Sequence, residues 1–188
     1  RATFERSLAL RKELGDIEGV AIVHNNLGTL CGDQGDLDAA EGHFRQSLEI
    51  ARPFHMGYHI ANSGLGLARV LLLKGDTEAT EAAVADCLAS AQSIGAEALV
   101  AEIHSVRAEN LLARGSWDEA RSLAEQSLAE ATKTSDPLLQ VNAWRVISEI
   151  ELQRGRLGEA SAALKEAERL AGDETDQLMI GRIAAQAG

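Results

Sequence analysis

The sequence has few of the bulky residues that fill a large globular core. Aromatic residues make up only 3% of its 188 positions, although 45% of all residues are hydrophobic. Alanine and leucine supply most of the apolar surface, and small side chains let neighbouring helices approach closely. The composition therefore suits stacked helix pairs.

Long hydrophobic runs and an excess of positive charge are also missing. The longest run of large aliphatic residues, Val-Leu-Leu-Leu at 70–73, is far too short to span a bilayer, and no secretory signal is visible. The 18 Lys and Arg residues stand against 29 Asp and Glu residues, so the net charge is −11. This charge disfavours direct binding to nucleic acid or to an anionic membrane. We expect a cytoplasmic protein.

Cysteine occurs only twice and histidine five times. Cys31 and Cys87 lie in different predicted helices, with no Cys-x-x-Cys pair and no His or Cys companions at metal-ligand spacing. Buried free thiols in a reducing cytoplasm are one interpretation, and a structural disulfide is the other. His24 and His104 occupy the same slot of the periodic pattern described next, which predicts a packing role for both.

A glycine recurs at one constant interval along the chain. Other positions keep the same interval, with an alanine or threonine five residues after each glycine and an alanine sixteen residues after it. A constant period of this length with a helical pattern inside it predicts a stacked repeat array rather than a closed globular fold. The recurring positions are Gly35, Gly75, Gly115 and Gly155; Ala40, Thr80, Ala120 and Ala160; and Ala51, Ala91, Ala131 and Ala171.

Each unit of this period is predicted to hold two amphipathic helices separated by its periodic glycine, which supplies a left-handed residue where the first helix ends. Asp36, Asp76 and Ser116 follow the glycine as N-cap candidates, and the run from Ser116 to Glu119 fits a capping box. Pro137 marks a further helix start. The predicted first helices are 17–33, 57–74, 97–114 and 137–154, and the predicted second helices are 36–52, 76–92, 116–132 and 156–171.

The period divides the chain into four full units between two half units of a single array. Phe4 and Leu8 stand one period before Phe44 and Leu48, so the first half unit is the second helix of an incomplete repeat. We expect a piece of a longer protein, with apolar surface at both uncapped ends as a candidate surface for self-association. The half units are 1–16 and 175–188, and the full units are 17–56, 57–96, 97–136 and 137–174.

The first full unit resembles the tetratricopeptide repeat. Leu27 and Gly28 match the Leu-Gly pair of that family's first helix, while Ala40 and Phe44 match the alanine and the aromatic residue of its second. The period is 40 rather than about 34 residues, and this longer form resembles the arrays of bacterial signalling ATPases and regulators of the maltose-regulator and LuxR-like type. The segment at 8–16 is similar to the inter-repeat phrase of those arrays. The resemblance implies an all-α, right-handed superhelical solenoid of helix–turn–helix repeats.

No arrangement of residues points to catalysis. His55 and His59 have the spacing of two imidazoles on one helix face, but no acid or thiol accompanies them, so we predict ordinary polar residues. The run Gly64-Leu65-Gly66 lies inside a predicted helix, follows no strand and lacks a third glycine, which excludes a dinucleotide loop. We expect no enzyme activity, no metal and no cofactor.

The family resemblance also implies a binding surface. In tetratricopeptide arrays the first helices line a concave groove, and three positions of each first helix form its floor. Their i, i+3, i+7 spacing places each triplet on one helix face. The implied groove residues, together called the groove stripe, are Ile22, Asn25 and Thr29; Asn62, Leu65 and Arg69; Glu102, Ser105 and Glu109; and Asn142, Arg145 and Glu149.

Two interpretations of the groove stripe remain open. The asparagine amides suit the backbone of an extended peptide, because they both donate and accept, and Arg69 and Arg145 suit a carboxylate. Alternatively, Glu109 lies between these arginines and Glu149 follows Arg145 by four residues, so the charges neutralise one another on a solvated face. The carboxylate clamp of chaperone-binding relatives is not reproduced.

We therefore expect a non-enzymatic interaction module for a protein, a peptide segment or another domain of the same chain. Its expected context is a bacterial cytoplasmic signalling or transcription regulator. The alternative is a sensor module whose groove binds a small inducer or peptide signal. A small ligand needs a concave apolar pocket, and the polar stripe favours the protein partner.

Overall fold

The computed structural model describes the backbone of residues 2–186 and the side chains of residues 3–4 and 6–172. Nine α-helices follow one another in this part of the chain, with a short 3-10 helix at Arg52–Phe54. They are α1 (Ala2–Glu13), α2 (Ile17–Asp33), α3 (Leu37–Ala51), α4 (Gly57–Leu73), α5 (Thr77–Ser93), α6 (Glu97–Ala113), α7 (Trp117–Lys133), α8 (Pro137–Gln153) and α9 (Leu157–Gln186). Helix α9 is interrupted at Gly172, whose φ of 69° is not helical. The side chains of the half unit expected at 175–188 lie outside the described residues.

The helices pair as the periodic pattern predicts. The first helices α2, α4, α6 and α8 begin at the expected residues, and the second helices α3, α5, α7 and α9 begin one residue later than expected. The offset arises because the preceding residue is an N-cap: Asp36 accepts from the Ala39 N–H at 3.2 Å and Asp76 accepts from the Ala79 N–H at 3.0 Å. The expected capping box is wrong, since the Ser116 side chain makes no cap hydrogen bond.

Two series of left-handed turns connect the helices. The periodic glycines end the first helices with φ between 74° and 77°, as predicted. A second series, which the periodic pattern had not predicted, ends the second helices, and two of its members are not glycine. Its residues are Gly15 (φ 68°), His55 (φ 52°), Gly95 (φ 66°) and Ser135 (φ 53°). The turn between units therefore requires one residue with a positive φ, as the turn within a unit does.

We expect Ser135→Gly to raise the free energy of unfolding by about 0.5–1 kcal/mol, because glycine adopts this left-handed conformation without a Cβ penalty. Gly95→Ser is the matched control, since Gly95 holds the same slot one unit earlier with a φ of 66°. It should lower stability by a similar amount. Urea unfolding measures both changes, and a destabilised Ser135→Gly protein would show that the turn carries no strain.

The first helices form the inner layer of the array. Helix α4 contacts α2 on one side and α6 on the other, and α6 also contacts α8, whereas no two second helices make comparable contact within the described residues. Closer approach of the first helices curves the stack around them. The chain is therefore an all-α, right-handed superhelical solenoid of helix–turn–helix repeats, as predicted.

The Phe44 ring locks the first unit to the second. It is 4% exposed and lies against glycine on two helices. A Cβ atom added to Gly28 of α2 would stand 2.8 Å from the ring, and one added to Gly66 of α4 would stand 2.4 Å from it. Similarly, a Cβ atom at Gly64 would stand 2.6 Å from the Cβ of Cys87. The run Gly64-Leu65-Gly66 thus has a packing role within α4.

Both cysteines are buried and free, so the buried-thiol interpretation is confirmed. Burial is the main cause that raises the pKa of the Cys87 thiol to about 12, and the nearby Asp86 carboxylate adds to it. Since the thiolate is the reactive form, Cys87 acts as a small apolar core residue.

Ion pairs join α3 to the C-terminal end of α4, α5 to α6, and α7 to α8. In the first two interfaces the acid lies on the second helix, and in the third the order is reversed. The pairs are Glu41–Lys74 at 2.7 Å, Glu81–Arg107 at 2.5 Å and Arg121–Glu151 at 2.7 Å. Glu151 is the most deeply buried of these charges, with a side chain 1% exposed.

Candidate functional site

The groove stripe follows the inner layer of first helices, but two of its expected members do not reach its surface. Leu65 is 4% exposed and packs in the core with Ala61 and Val84. Ser105 is 7% exposed, and its hydroxyl lies 2.9 Å from that of Ser127 on the second helix of its own unit. Both side chains are turned toward the core of the array and away from the groove. We therefore remove both residues from the candidate site.

The arginines of the groove stripe are neutralised by acids on the neighbouring first helix. Arg69 of α4 bonds to Glu102 of α6 at 2.7 Å, and Arg145 of α8 bonds to Glu109 of α6. These side chains are between 27% and 48% exposed, so each pair contributes little to stability. Neither guanidinium is free to hold a carboxylate without first releasing its acid.

The asparagines of the groove stripe differ in the hydrogen bonds that they make. Asn62 and Asn142 are partly exposed and have no hydrogen-bond partner within the described residues. The side-chain amide of Asn25 lies 3.0 Å from the buried Ser63 hydroxyl, and its backbone carbonyl accepts the Thr29 hydroxyl at 3.3 Å. Two amides on α4 and α8 therefore keep their full bonding capacity, while the amide on α2 is held in place.

A chain of buried hydroxyls leads from Asn25 into the first unit. The Ser63 Oγ lies 2.8 Å from the Ser47 Oγ, which lies 2.9 Å from the backbone oxygen of Ala21. Both serines are 0% exposed. We call Asn25, Ser63, Ser47 and the Ala21 oxygen the serine relay, and it joins α2, α3 and α4.

Two apolar residues that the triplet pattern missed extend the groove stripe on α4. Tyr58 and Leu73 are 57% and 64% exposed. They lie four residues before Asn62 and four residues after Arg69, on the same helix face. Continuing the α4 triplet by four residues at each end would have included both residues. Alongside, the His59 Nε2 pairs with Glu18 of α2 at 3.0 Å.

The two histidines that share a slot have opposite surroundings. The His104 Nδ1 lies 2.8 Å from a carboxylate oxygen of Glu130, whereas the His24 Nδ1 lies 3.2 Å from the His43 Nδ1. Burial, followed by the charges of His43 on α3 and Lys12 on α1, lowers the pKa of His24 to about 4. His24 is therefore neutral in the folded chain near neutral pH.

This depressed pKa predicts a loss of stability in acid. The unfolded histidine takes up a proton near its ordinary pKa of 6.5 and the folded one only near 4, so stability falls as the pH drops through that window. We expect a loss from His24 of about 2 kcal/mol near pH 5. Urea unfolding at pH 7 and pH 5 should show a smaller loss for His24→Gln than for the unchanged chain. His55→Gln, at an exposed histidine, is the control, and equal losses in all three proteins would contradict the prediction.

Two crevices open away from the groove stripe. One of about 380 Å³ lies between α3 and α5, over Leu67 and Leu71 of α4, and is bordered by the Arg52–Asp86 ion pair. The other, of about 300 Å³, lies beside Gly95 and Glu130. No residue of the groove stripe lines either crevice.

The described residues contain neither a candidate membrane span nor a candidate metal site. No helix there is long and apolar enough to cross a bilayer. Likewise, no three His, Cys, Asp or Glu side chains of that part converge as a metal site would require.

This combination of a helical-repeat solenoid and an inner polar surface defines a repeat scaffold. A family model described as tetratricopeptide repeat matches residues 1–53, 19–93 and 99–173, and the chain belongs to this family. The fold is generally a non-catalytic scaffold that mediates protein–protein interactions, which supports an interaction role here.

Two known proteins show how far the similarity extends. Protein FlbA of Caulobacter vibrioides is 31% identical over 132 residues, which are 68% of this chain and 21% of FlbA. The chain thus spans about a fifth of that relative. The crystal structure of BtubC (BKLC) from P. vanneervenii superposes with a TM-score of 0.76 at 19% identity, over 90% of this chain and 70% of BtubC. The second likeness concerns the fold alone.

Proposed function

We propose that the chain is a non-enzymatic interaction module that holds an extended segment of a protein partner, or of its own parent protein, along the groove stripe. The observation that carries this proposal is the pair of unused amides at Asn62 and Asn142. They lie on two first helices of one inner layer, and an amide satisfies both the N–H and the C=O of an extended backbone.

The surroundings of these amides favour a long partner over a small one. Tyr58 and Leu73 supply exposed apolar contacts at the two ends of the α4 stripe. The two crevices described above do not include the groove stripe, whereas a small inducer would need an enclosed apolar pocket with convergent polar groups. The interaction module is therefore preferred to the sensor module.

The parent protein is proposed to be a bacterial signalling or transcription regulator. Support comes from the long repeat period and from the segment at 8–16, which resembles the arrays of maltose-regulator and LuxR-like proteins. The flanking coding sequence tests this assignment. It should encode a P-loop ATPase or a helix-turn-helix domain, and flanks without either would contradict it.

Affinity capture from a lysate of the source cells tests the interaction role. We expect a protein that the immobilised chain retains and that Asn62→Ala/Asn142→Ala loses by about thirtyfold, since two hydrogen bonds of about 1 kcal/mol each are removed. Gln46→Ala/Gln126→Ala removes two exposed amides from second helices and is the matched control. Equal losses with both variants, or no retained protein, would contradict the proposal.

A further inference from the structure

The serine relay contains more oxygen contacts than its hydroxyls have hydrogens. With the Asn25 Oδ1 facing Ser63, there are three contacts between oxygens, at 2.9, 2.8 and 3.0 Å. Ser47 and Ser63 supply one hydrogen each. One of the three contacts would then bring two lone pairs together in a site where both serines are fully buried.

Turning the Asn25 amide resolves the conflict. The nitrogen then donates to the Ser63 Oγ, Ser63 donates to Ser47, and Ser47 donates to the Ala21 oxygen, so that three hydrogens serve three contacts. The oxygen and nitrogen of an asparagine amide are assigned from such a network and not from their positions alone.

The third unit supports this direction of donation. Ser127 holds the slot of Ser47 two periods later, and its hydroxyl lies 2.7 Å from the oxygen of Ala101 and 2.9 Å from the Ser105 hydroxyl. Ser105 stands two periods after Asn25. Because Ser127 donates to the Ala101 oxygen, Ser105 is the donor in the contact between the two hydroxyls. Two hydroxyl hydrogens there make two hydrogen bonds, one from Ser105 to Ser127 and one from Ser127 to the Ala101 oxygen.

We propose that the serine relay turns the Asn25 carbonyl oxygen toward the groove, which makes the groove an acceptor surface for a basic, extended segment. This inference rests on the proposed function and names the chemistry of its partner. Asn25 is a specificity residue here, and Ser47 and Ser63 position it.

The charges along the groove stripe agree with such a partner. Glu102 and Glu109 already neutralise its two arginines. Glu149 receives only a hydrogen bond from the neutral Gln153 amide, at 3.1 Å, and is exposed. The groups left to a partner are thus the Asn25 oxygen, the two unused amides and one uncompensated carboxylate, on a chain with a net charge of −11. Backbone N–H groups and a Lys or Arg side chain complement them.

Amide exchange in the unmodified chain tests the orientation of Asn25. If its nitrogen bonds to Ser63, one Asn25 side-chain proton should exchange with water at least about tenfold more slowly than those of Asn62, which has no partner. Ser63→Ala should remove this protection without changing the helical circular dichroism. Equally fast exchange at Asn25 and Asn62 would overturn the assignment, whatever the groove binds.

Selection from a displayed library of random linear peptides tests the partner chemistry. The whole chain is the target, and Asn62→Ala/Asn142→Ala serves for counter-selection. We expect survivors enriched in Lys and Arg that bind Glu149→Gln at least about threefold more weakly. Survivors enriched in Asp and Glu would overturn the inference and leave the proposed function standing. A selection without groove-dependent survivors would overturn the proposed function and the partner chemistry together.

Discussion

Replacing Phe44 with alanine should destabilise the first two units by about 3–5 kcal/mol, because it empties a buried site that two helices line with glycine. The ring lies against Gly28 and Gly66, and neither of these residues has a Cβ that can fill the space. Urea unfolding followed by circular dichroism measures the loss, and hydrogen exchange locates it in α2, α3 and α4.

The repeat offers a matched control for this cavity. Leu164 holds the slot of Phe44 three units later and is 41% exposed, so Leu164→Ala should cost about 1 kcal/mol or less. Gly66→Ala should be destabilising in the unchanged chain, where its Cβ would meet the ring at 2.4 Å. In the Phe44→Ala background it should be neutral or stabilising. Additive effects of the two substitutions would show that the ring and Gly66 are not coupled.

Replacing Glu151 with leucine should cost about 3 kcal/mol, because it leaves partly buried arginines without their carboxylate. Arg121 bonds to Glu151 at 2.7 Å, and Arg156 approaches it at 3.4 Å. Leucine is the residue in this slot at positions 71 and 111, so the change suits the packing of the repeat and isolates the charge. Loss of protection against hydrogen exchange should concentrate in α7 and α8.

The surface partner of the same arginine provides the control. Arg121 also pairs with Glu125 at 2.9 Å, where the carboxylate is 56% exposed. Glu125→Gln should therefore change stability by less than about 0.5 kcal/mol. Equal effects of Glu151→Leu and Glu125→Gln would mean that burial does not strengthen the pair.

Periodicity predicted most of the fold, because many of the repeated residues mark the beginning or the end of a helix. The glycines end helices in a left-handed conformation, and Asp36 and Asp76 cap the helices that follow. The second turn series was missed because His55 and Ser135 hold a conformation usually left to glycine, so only Gly15 and Gly95 marked it. Ser116 failed as a cap because residue type does not determine side-chain direction.

The groove stripe was harder to predict than the helices. A triplet spacing identifies one helix face but not how deeply each slot is buried, which is why the triplets included the buried Leu65 and Ser105. The pairing of Arg69 with Glu102 and of Arg145 with Glu109 depends on how neighbouring helices stagger. The direction of the serine relay depends on hydrogens from three helices, and no single segment of sequence contains them.

The two series of left-handed turns have a mechanical consequence. Six of the helices, α2 and α4 to α8, have 17 residues each, or about 26 Å at the rise of an α-helix. The links between units at 14–16, 94–96 and 134–136 have three residues, as the links within units do, and the longer link at 52–56 contains the 3-10 helix. An extending force along the array is therefore distributed over all of these short connections, and it changes the superhelical pitch of the whole groove. A bound segment that contacts several units would thereby fix the pitch and the end-to-end length of the solenoid.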